Sequence, residues 1–241
     1  MAPAGIGARV EGVHAVAAAL AAGRVRRLTI ERGRNFGSLL KAAAGIPVTE
    51  VPDVRSLSET TAPQGVIADC EPIVSHPLKA LVARAHRPSL VVLDHVEDPH
   101  NLGAIVRSAV AASATGLVVA ARRAAPFGAA AFKAAAGALE LLPVTMVNSV
   151  ADAVARLEEL SVWTVGLDAG AEESVFGCAL FTEPVAVVIG GEGGGLSRLV
   201  RERVSKLVHI PMAEGVESLN ASVSAALAMY EVRRMRLAAA S

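Results

Sequence analysis

The chain has 241 residues, of which 53% are apolar and 19% charged, and its 23 basic and 23 acidic side chains cancel. Such a chain can bury a full core without disulfide or metal staples, and its neutrality excludes a uniformly basic nucleic-acid binder. No apolar run is long enough to span a bilayer, no basic-then-apolar leader is read at the start, and Cys70 and Cys178 match no metal or redox spacing. A cytoplasmic protein with two buried, reduced thiols, no metal and no membrane contact is expected.

Charge is unevenly spread. Residues 1–44 carry seven Lys/Arg against Glu11 and Glu31, whereas residues 45–75 carry one Arg against five acids. Arg24, Arg26, Arg27, Arg32 and Arg34 form a candidate phosphate-facing surface, although charge alone fits a solvated face equally well.

In chain order, helical periodicity over residues 13–20 ends near Gly23. Residues 27–30 read as a short strand, 36–44 as a second helix, and 47–51 and 64–68 as further strands. These make a small α/β unit over residues 1–72. Pro72, Pro77 and Pro88 punctuate a linker over residues 73–88. A second unit, over residues 89–241, opens with Leu90-Val91-Val92-Leu93, a continuous apolar run of the kind buried on both faces of a parallel sheet. Helix 102–112, strand 117–119, helix 129–136, strand 144–147, helix 150–160 and strand 162–165 follow. Strand 185–189 leads into a glycine cluster, and strand 207–210 and helix 219–237 finish the chain. Alternating strands and helices predict an α/β fold with a mostly parallel sheet.

Three segments stand out at the carboxyl ends of predicted strands, where ligands bind in open α/β sheets. The first runs from Asp94 to Ala109. Asn101 stands where a helix cap belongs, and Arg107 is a charge among Ile105, Val106 and Ala109 that reads as buried and in need of a partner. The alternative is an arginine snorkelling to the surface. The second segment, Gly190-Gly191-Glu192-Gly193-Gly194-Gly195, is neither a P-loop nor a clean dinucleotide fingerprint, and a carboxylate in mid-loop would repel a pyrophosphate. The third, His209 to Val223, ends a strand in Pro211 and offers Ser218 as the cap of the last helix. Capping explains Ser218 well and Asn220 poorly.

Taken in this order, the three segments resemble the motifs of the SpoU family of RNA 2′-O-methyltransferases. Asn101-Leu102-Gly103 with Arg107-Ser108-Ala109 is similar to the first motif, Ile189 to Leu196 to the second, and Ile210-Pro211-Met212 with Ser218 to Val223 to the third. The resemblance covers residues 89–241. It implies a SPOUT-type parallel sheet with a C-terminal trefoil knot, a feature general topology rules would reject, and S-adenosylmethionine as cofactor. It further implies a homodimer with each active site near the subunit interface. Helix 219–237, with Leu219, Val223, Leu227 and Tyr230 at helical spacing, would supply that interface. Backbone groups at Gly190, Ile210 and Leu219 would surround the adenosine. Arg107 matches the family's catalytic arginine, often described as the base. A guanidinium is better suited to clamp a phosphate or a developing alkoxide. Asn101 and Ser218 would orient Arg107 or the ribose, while Asn220 and Glu192 would hold the loops and the methionine end of the cofactor.

Near the start, Glu11-Gly12-Val13-His14-Ala15-Val16 and Gln64-Gly65-Val66 resemble family members that carry a ribosomal-protein-like RNA-binding domain. These include a subgroup acting on a guanosine ribose of 23S rRNA. Many members carry Asn where this chain has Gly191; the ribosomal subgroup often has a small residue there. Competing readings are methylation of tRNA or of another rRNA nucleoside, as in antibiotic self-resistance, and a non-catalytic RNA-binding assembly protein. A nicotinamide-dependent dehydrogenase would require a glycine fingerprint and a ribose-binding acid that do not occur together.

Overall fold

The computed structural model describes residues 5–121, 124 and 126–240. The front of the chain builds a four-stranded sheet from β1 (Arg9–Glu11), β2 (Val25–Glu31), β3 (Val48–Val51) and β4 (Val66–Cys70), in the order β1-β4-β2-β3. β2 and β3 run parallel and the other pairings are antiparallel. Two helices belong to this unit, α1 (Val13–Ala21) and α2 (Gly37–Ala42). α1 buries Ala15, Val16, Ala19 and Leu20, one stripe of an amphipathic helix. β4 begins at Val66 because Gln64 and Gly65, with φ of 58° and 79°, form a left-handed turn before it.

The proline-rich stretch is not wholly a linker. α3 (Leu78–Val82) interrupts it, and Leu78 and Leu81 are buried with Leu90 and Val92 of the second sheet.

That second sheet has six parallel strands: β5 (Ser89–Asp94), β6 (Gly116–Ala120), β7 (Val144–Val147), β8 (Trp163–Leu167), β9 (Val185–Gly190) and β10 (Lys206–Val208). The spatial order is β10-β8-β9-β5-β6-β7. Every residue of β5 is buried. Its side chains alternate between two cores, as the period of a strand demands. Val91 and Leu93 face α4 (Pro99–Ala111), α5 (Ala129–Ala135) and α8 (Ala221–Ala238). Leu90 and Val92 face α3, α6 (Val150–Glu159) and α7 (Arg198–Arg203). Each fully buried Leu here is worth about 1.5–3 kcal/mol relative to exposure. Cys70 and Cys178 are free and buried, and burial pushes the Cys70 thiol up to about 12. Among the described residues no helix is long and apolar enough to cross a membrane.

One core runs through both units. Val10, Val16, Leu28 and Val66 of the first belong to the same cluster as Phe132, Val91 and Ile105 of the second. At the seam, Arg24 donates from Nε to Glu140 at 2.7 Å, and its guanidinium lies 5.7 Å from the Phe132 ring centroid. Its side chain is only 12% exposed. Arg24 therefore turns inward to join the two units and stands apart from the arginine surface with which the sequence groups it.

At the other end of the chain, the Arg236 guanidinium fastens α8. It donates to the carbonyl oxygens of Phe181, Arg87, Pro88 and Glu183, next to the starts of β5 and β9.

Glu11 is fully buried, and the loop at 58–60 is built around it. Its carboxylate accepts from Ser58 Oγ at 2.5 Å, Thr60 Oγ1 at 2.6 Å, Glu59 N at 2.7 Å and Thr60 N at 3.1 Å. Burial raises its pKa, but these hydrogen bonds outweigh that and hold the carboxyl below its ordinary value of 4.5. A depressed folded pKa means that the unfolded chain takes up the proton first on acidification. The stabilisation is thus complete above pH 4.5 and lost as pH falls through the folded value. Glu11→Ala, which removes the buried acceptor that organises the 58–60 loop, should cost about 2–3 kcal/mol. Denaturant titration at neutral pH and again below pH 4 should show a gap between wild type and variant that closes in acid.

Candidate active site

β5 ends at Asp94 and β9 at Gly190, and the two residues pair across the parallel ladder. Strands β5, β6 and β7 are laid outward on one side of the sheet and β8, β9 and β10 occupy the other. The loops after β5 and β9 therefore leave from the switch point, where ligands bind. Asp94 is buried and accepts from Ser197 N at 2.7 Å, tying the far end of the glycine loop to β5. His95 follows with φ of 58° and turns the chain back.

α4 begins earlier than the sequence suggests. Asp98 is its cap, accepting from His100 N at 2.9 Å, and Pro99 takes the first helical position, where its missing N–H is not needed. Asn101 is thereby released from capping and its buried side chain faces the loops. Its Nδ2 donates to Glu192 Oε1 at 2.7 Å. Asn220 Nδ2 donates to the same oxygen at 2.7 Å and to Asn101 Oδ1 at 3.0 Å. One residue from each of the three singled-out segments meets at this point.

Asn220 also caps α8, its Oδ1 accepting from Ser222 N at 2.8 Å. The sequence reading gave that role to Ser218; the helix instead starts at Ala221, and Ser218 stays exposed on the loop. A Ser can cap only a helix that begins next to it, and the loop runs two residues further to reach Glu192.

The glycines have steric reasons. A Cβ on Gly190 would lie 2.2 Å from the carbonyl carbon of Gly195, and one on Gly191 would lie 2.1 Å from the carbonyl oxygen of His95. No side chain fits either place without moving backbone. Gly194, by contrast, has open space where a Cβ would stand.

This crowded loop separates two clefts. One, of about 680 Å3, is lined by Gly190, Ile210, Ser218 and Leu219 together with the carboxylates of Asp168 and Glu217. The other, of about 540 Å3, lies on the β5 side and is lined by His95, Glu97, Asp98 and Ser197. Glu192 lines both. No Lys or Arg lines either cleft among the described residues. Such walls favour a cation and disfavour a pyrophosphate. Both volumes fall in the ordinary range for small-molecule sites.

Arg107 corrects the sequence reading. It is exposed on α4, lines neither cleft and has no hydrogen-bonding or ion-pair partner among the described residues. Its apolar neighbours Ile105 and Val106 face the core, and the helix turns Arg107 away from it. Of the basic cluster, Arg26 pairs with Glu71 and Arg34 with Glu31, both at 2.8 Å, while Arg27 and Arg32 are exposed and have no partner among the described residues. Among the described residues no group of His, Cys and carboxylates could hold a metal ion. The sequence assigns no role to His95, Glu97, Asp168 or Glu217; for the first three, an acid or imidazole just past a buried strand is the available signal, and for Glu217, nine residues beyond β10, there is none.

The family model for SpoU rRNA methylases matches residues 88–230, and a model for RNA 2′-O ribose methyltransferase substrate binding matches residues 9–74. The chain belongs to the SpoU methylase family. It is 35% identical over 237 residues to the 23S rRNA (guanosine-2′-O-)-methyltransferase RlmB of Photobacterium profundum, covering 93% of this chain and 96% of that protein. It is 45% identical to YacO of Bacillus subtilis, assigned to the TrmH family of tRNA/rRNA methyltransferases, over 66% of this chain; the match spans 63% of that relative's length. The SpoU methyltransferase AviRb of Streptomyces viridochromogenes, solved with its cofactor AdoMet, superposes with a TM-score of 0.82 at 28% identity. That match covers 95% of this chain and 90% of the other.

Within this SpoU chain the contrast between two glycines offers a test. Gly190→Ala should displace the 190–195 loop, lower stability by about 1–3 kcal/mol and abolish ligand binding in the larger cleft. Gly194→Ala should leave both within error. Thermal melts and titration calorimetry with S-adenosylmethionine on the two variants read the difference.

Proposed function

We propose that the protein transfers the methyl group of S-adenosylmethionine to a ribose 2′-hydroxyl of RNA, and that the target is a guanosine of 23S rRNA. The observation that carries this reading is the junction of Asn101, Glu192 and Asn220 beside the larger cleft, in a chain of the SpoU family. The 23S rRNA guanosine assignment follows RlmB, whose match runs through both units of the chain.

Bound in the larger cleft, S-adenosylmethionine supplies an electrophilic methyl on a cationic sulfonium. The acidic walls suit that charge, and the Glu192 carboxylate, fixed by two amides, holds the methionine end. Backbone groups at Gly190, Ile210 and Leu219 read the adenosine. Asn101 and Ser218 orient the ribose or Arg107. Displacement at the methyl needs the 2′-oxygen close and in line, so positioning supplies much of the rate. Arg107 is a permanent donor and acts as a clamp on the adjoining phosphate or on the developing alkoxide.

Since Arg107 stands outside the clefts of its own protomer, a homodimer that brings it near the site belongs to the same reading. Val223, Tyr230 and Leu237 form an exposed apolar line on α8, which packs against α4, and this line is the proposed interface. Sedimentation at micromolar concentration reads the dimer. The trefoil knot is supported by the path of the chain, which leaves β10 at the sheet edge and returns to Glu192 before entering α8. The front unit, residues 1–72, docks RNA through Arg27 and Arg32, aided by Arg26 and Arg34, and the enzyme works in the cytoplasm.

Radiolabel transfer from S-adenosylmethionine to 23S rRNA lacking the modification, followed by mapping of 2′-O-methyl sites, tests the activity. Absence of transfer to any RNA would overturn it. Arg107→Ala should reduce turnover at least a hundredfold with cofactor affinity and melting temperature unchanged, and Arg107→Lys should rescue little, since a point charge cannot replace a planar fork. Replacing Arg27 and Arg32 with Ala should lower the slope of log affinity for rRNA against log salt by about 1.5, since each lost phosphate contact removes roughly 0.7–0.9. An unchanged slope would leave the pair a solvated surface.

A further inference from the structure

We propose that the smaller cleft is the pocket for the target nucleobase, with Glu97 reading the Watson–Crick edge of guanine and the His95 imidazole stacking on its face. The proposal rests on the methyltransferase reading above and adds to it where the acceptor nucleoside sits and what selects it.

The two clefts share a wall. Gly191, Glu192 and Gly195 line both, so a donor in the larger cleft and an acceptor in the smaller one would meet across the Glu192 junction. At about 540 Å3 the smaller cleft has room for a nucleoside.

Its chemistry narrows the occupant. Glu97, Asp98 and Glu192 line it, and no cation does, so a phosphate is repelled and a ligand presenting hydrogen-bond donors is favoured. Asp98 is engaged by His100 N and Glu192 by two amides. Glu97 is exposed and has no hydrogen-bond partner among the described residues, which leaves its oxygens open to a ligand. Guanine carries adjacent donors, N1–H and N2–H, spaced to match the two oxygens of one carboxylate. Adenine presents an acceptor at N1, and uracil flanks its single donor with two carbonyls. Enzymes that act on an extruded nucleotide read it in this way, by its Watson–Crick edge and by stacking.

His95 supplies the stacking face. Its side chain is 44% exposed at the cleft and lies beside Asp94, with Nε2 3.6 Å from Oδ1. Stacking tolerates any base, whereas the carboxylate discriminates. The two residues thus divide affinity from specificity.

The test uses the full-length protein and a synthetic RNA spanning the mapped target guanosine, with matched RNAs carrying inosine or adenosine at that position. Inosine keeps N1–H and lacks the N2 amino group. Wild type should favour guanosine over inosine about tenfold in kcat/KM, and over adenosine by more. Glu97→Ala should lose about ten- to hundredfold on guanosine and erase the preference over inosine, with S-adenosylmethionine affinity and melting temperature unchanged. His95→Asn, which keeps a residue at ease in the left-handed region, should raise KM about tenfold on guanosine and inosine alike. A Glu97→Ala enzyme that still prefers guanosine over inosine as wild type does would overturn the proposal. A wild-type enzyme that binds S-adenosylmethionine yet methylates none of these RNAs, nor natural rRNA, would overturn the methyltransferase reading itself.

Discussion

A single oxygen atom, Oε1 of Glu192, holds the site together. Two amides from residues 101 and 220, far apart in the chain, donate to it. Hydrogen bonds to a carboxylate are shorter and more directional than neutral ones, and their geometry fixes the loops relative to one another. The arrangement depends on what precedes Glu192: with any side chain at Gly190 or Gly191, the strand end would collide with Gly195 or His95. Glycine here is a condition for placing the carboxylate between two clefts.

The same junction explains why α8 begins where it does. Asn220 uses its oxygen to cap the helix and its nitrogen to reach Glu192 and Asn101. The last helix is thus started by the residue that closes the site. Its other end is held by Arg236, whose guanidinium is satisfied by main-chain carbonyls.

Much of this was legible in the sequence, for definable reasons. β5 and β9 are uninterrupted apolar runs because both faces are covered, and their glycine- and asparagine-bearing ends fell at strand termini where the motifs were read. β1, α3 and α7 are short and carry neither a continuous apolar run nor enough turns to show a period, so the sequence does not mark them. The starts of α1, α5 and α6 agree with the sequence, whereas those of α4 and α8 differ by three and two residues, because Asp98 and Asn220 compete with neighbouring polar groups and only geometry decides between them. Direction was the harder unknown. Composition cannot tell that Arg24 turns inward to Glu140 while Arg27 turns outward, nor that Arg107 is exposed on a helix whose Ile105, Val106 and Ala109 are buried. A charge is visible in one dimension; its partner is not.

The seam around Arg24 and Phe132 has a further consequence. Because one core runs through both units, packing is continuous among the described residues between the front unit, with its outward arginines, and the clefts. The molecule behaves as a caliper whose jaws are set at one opening. On the proposed docking of RNA at those arginines, any adjustment needed to seat a substrate would fall to the RNA, which would have to fold or bend until its backbone contact and its modified nucleotide lie at that span. Selectivity of this kind is read from tertiary shape, and a chain of the right letters without the right separation would be refused.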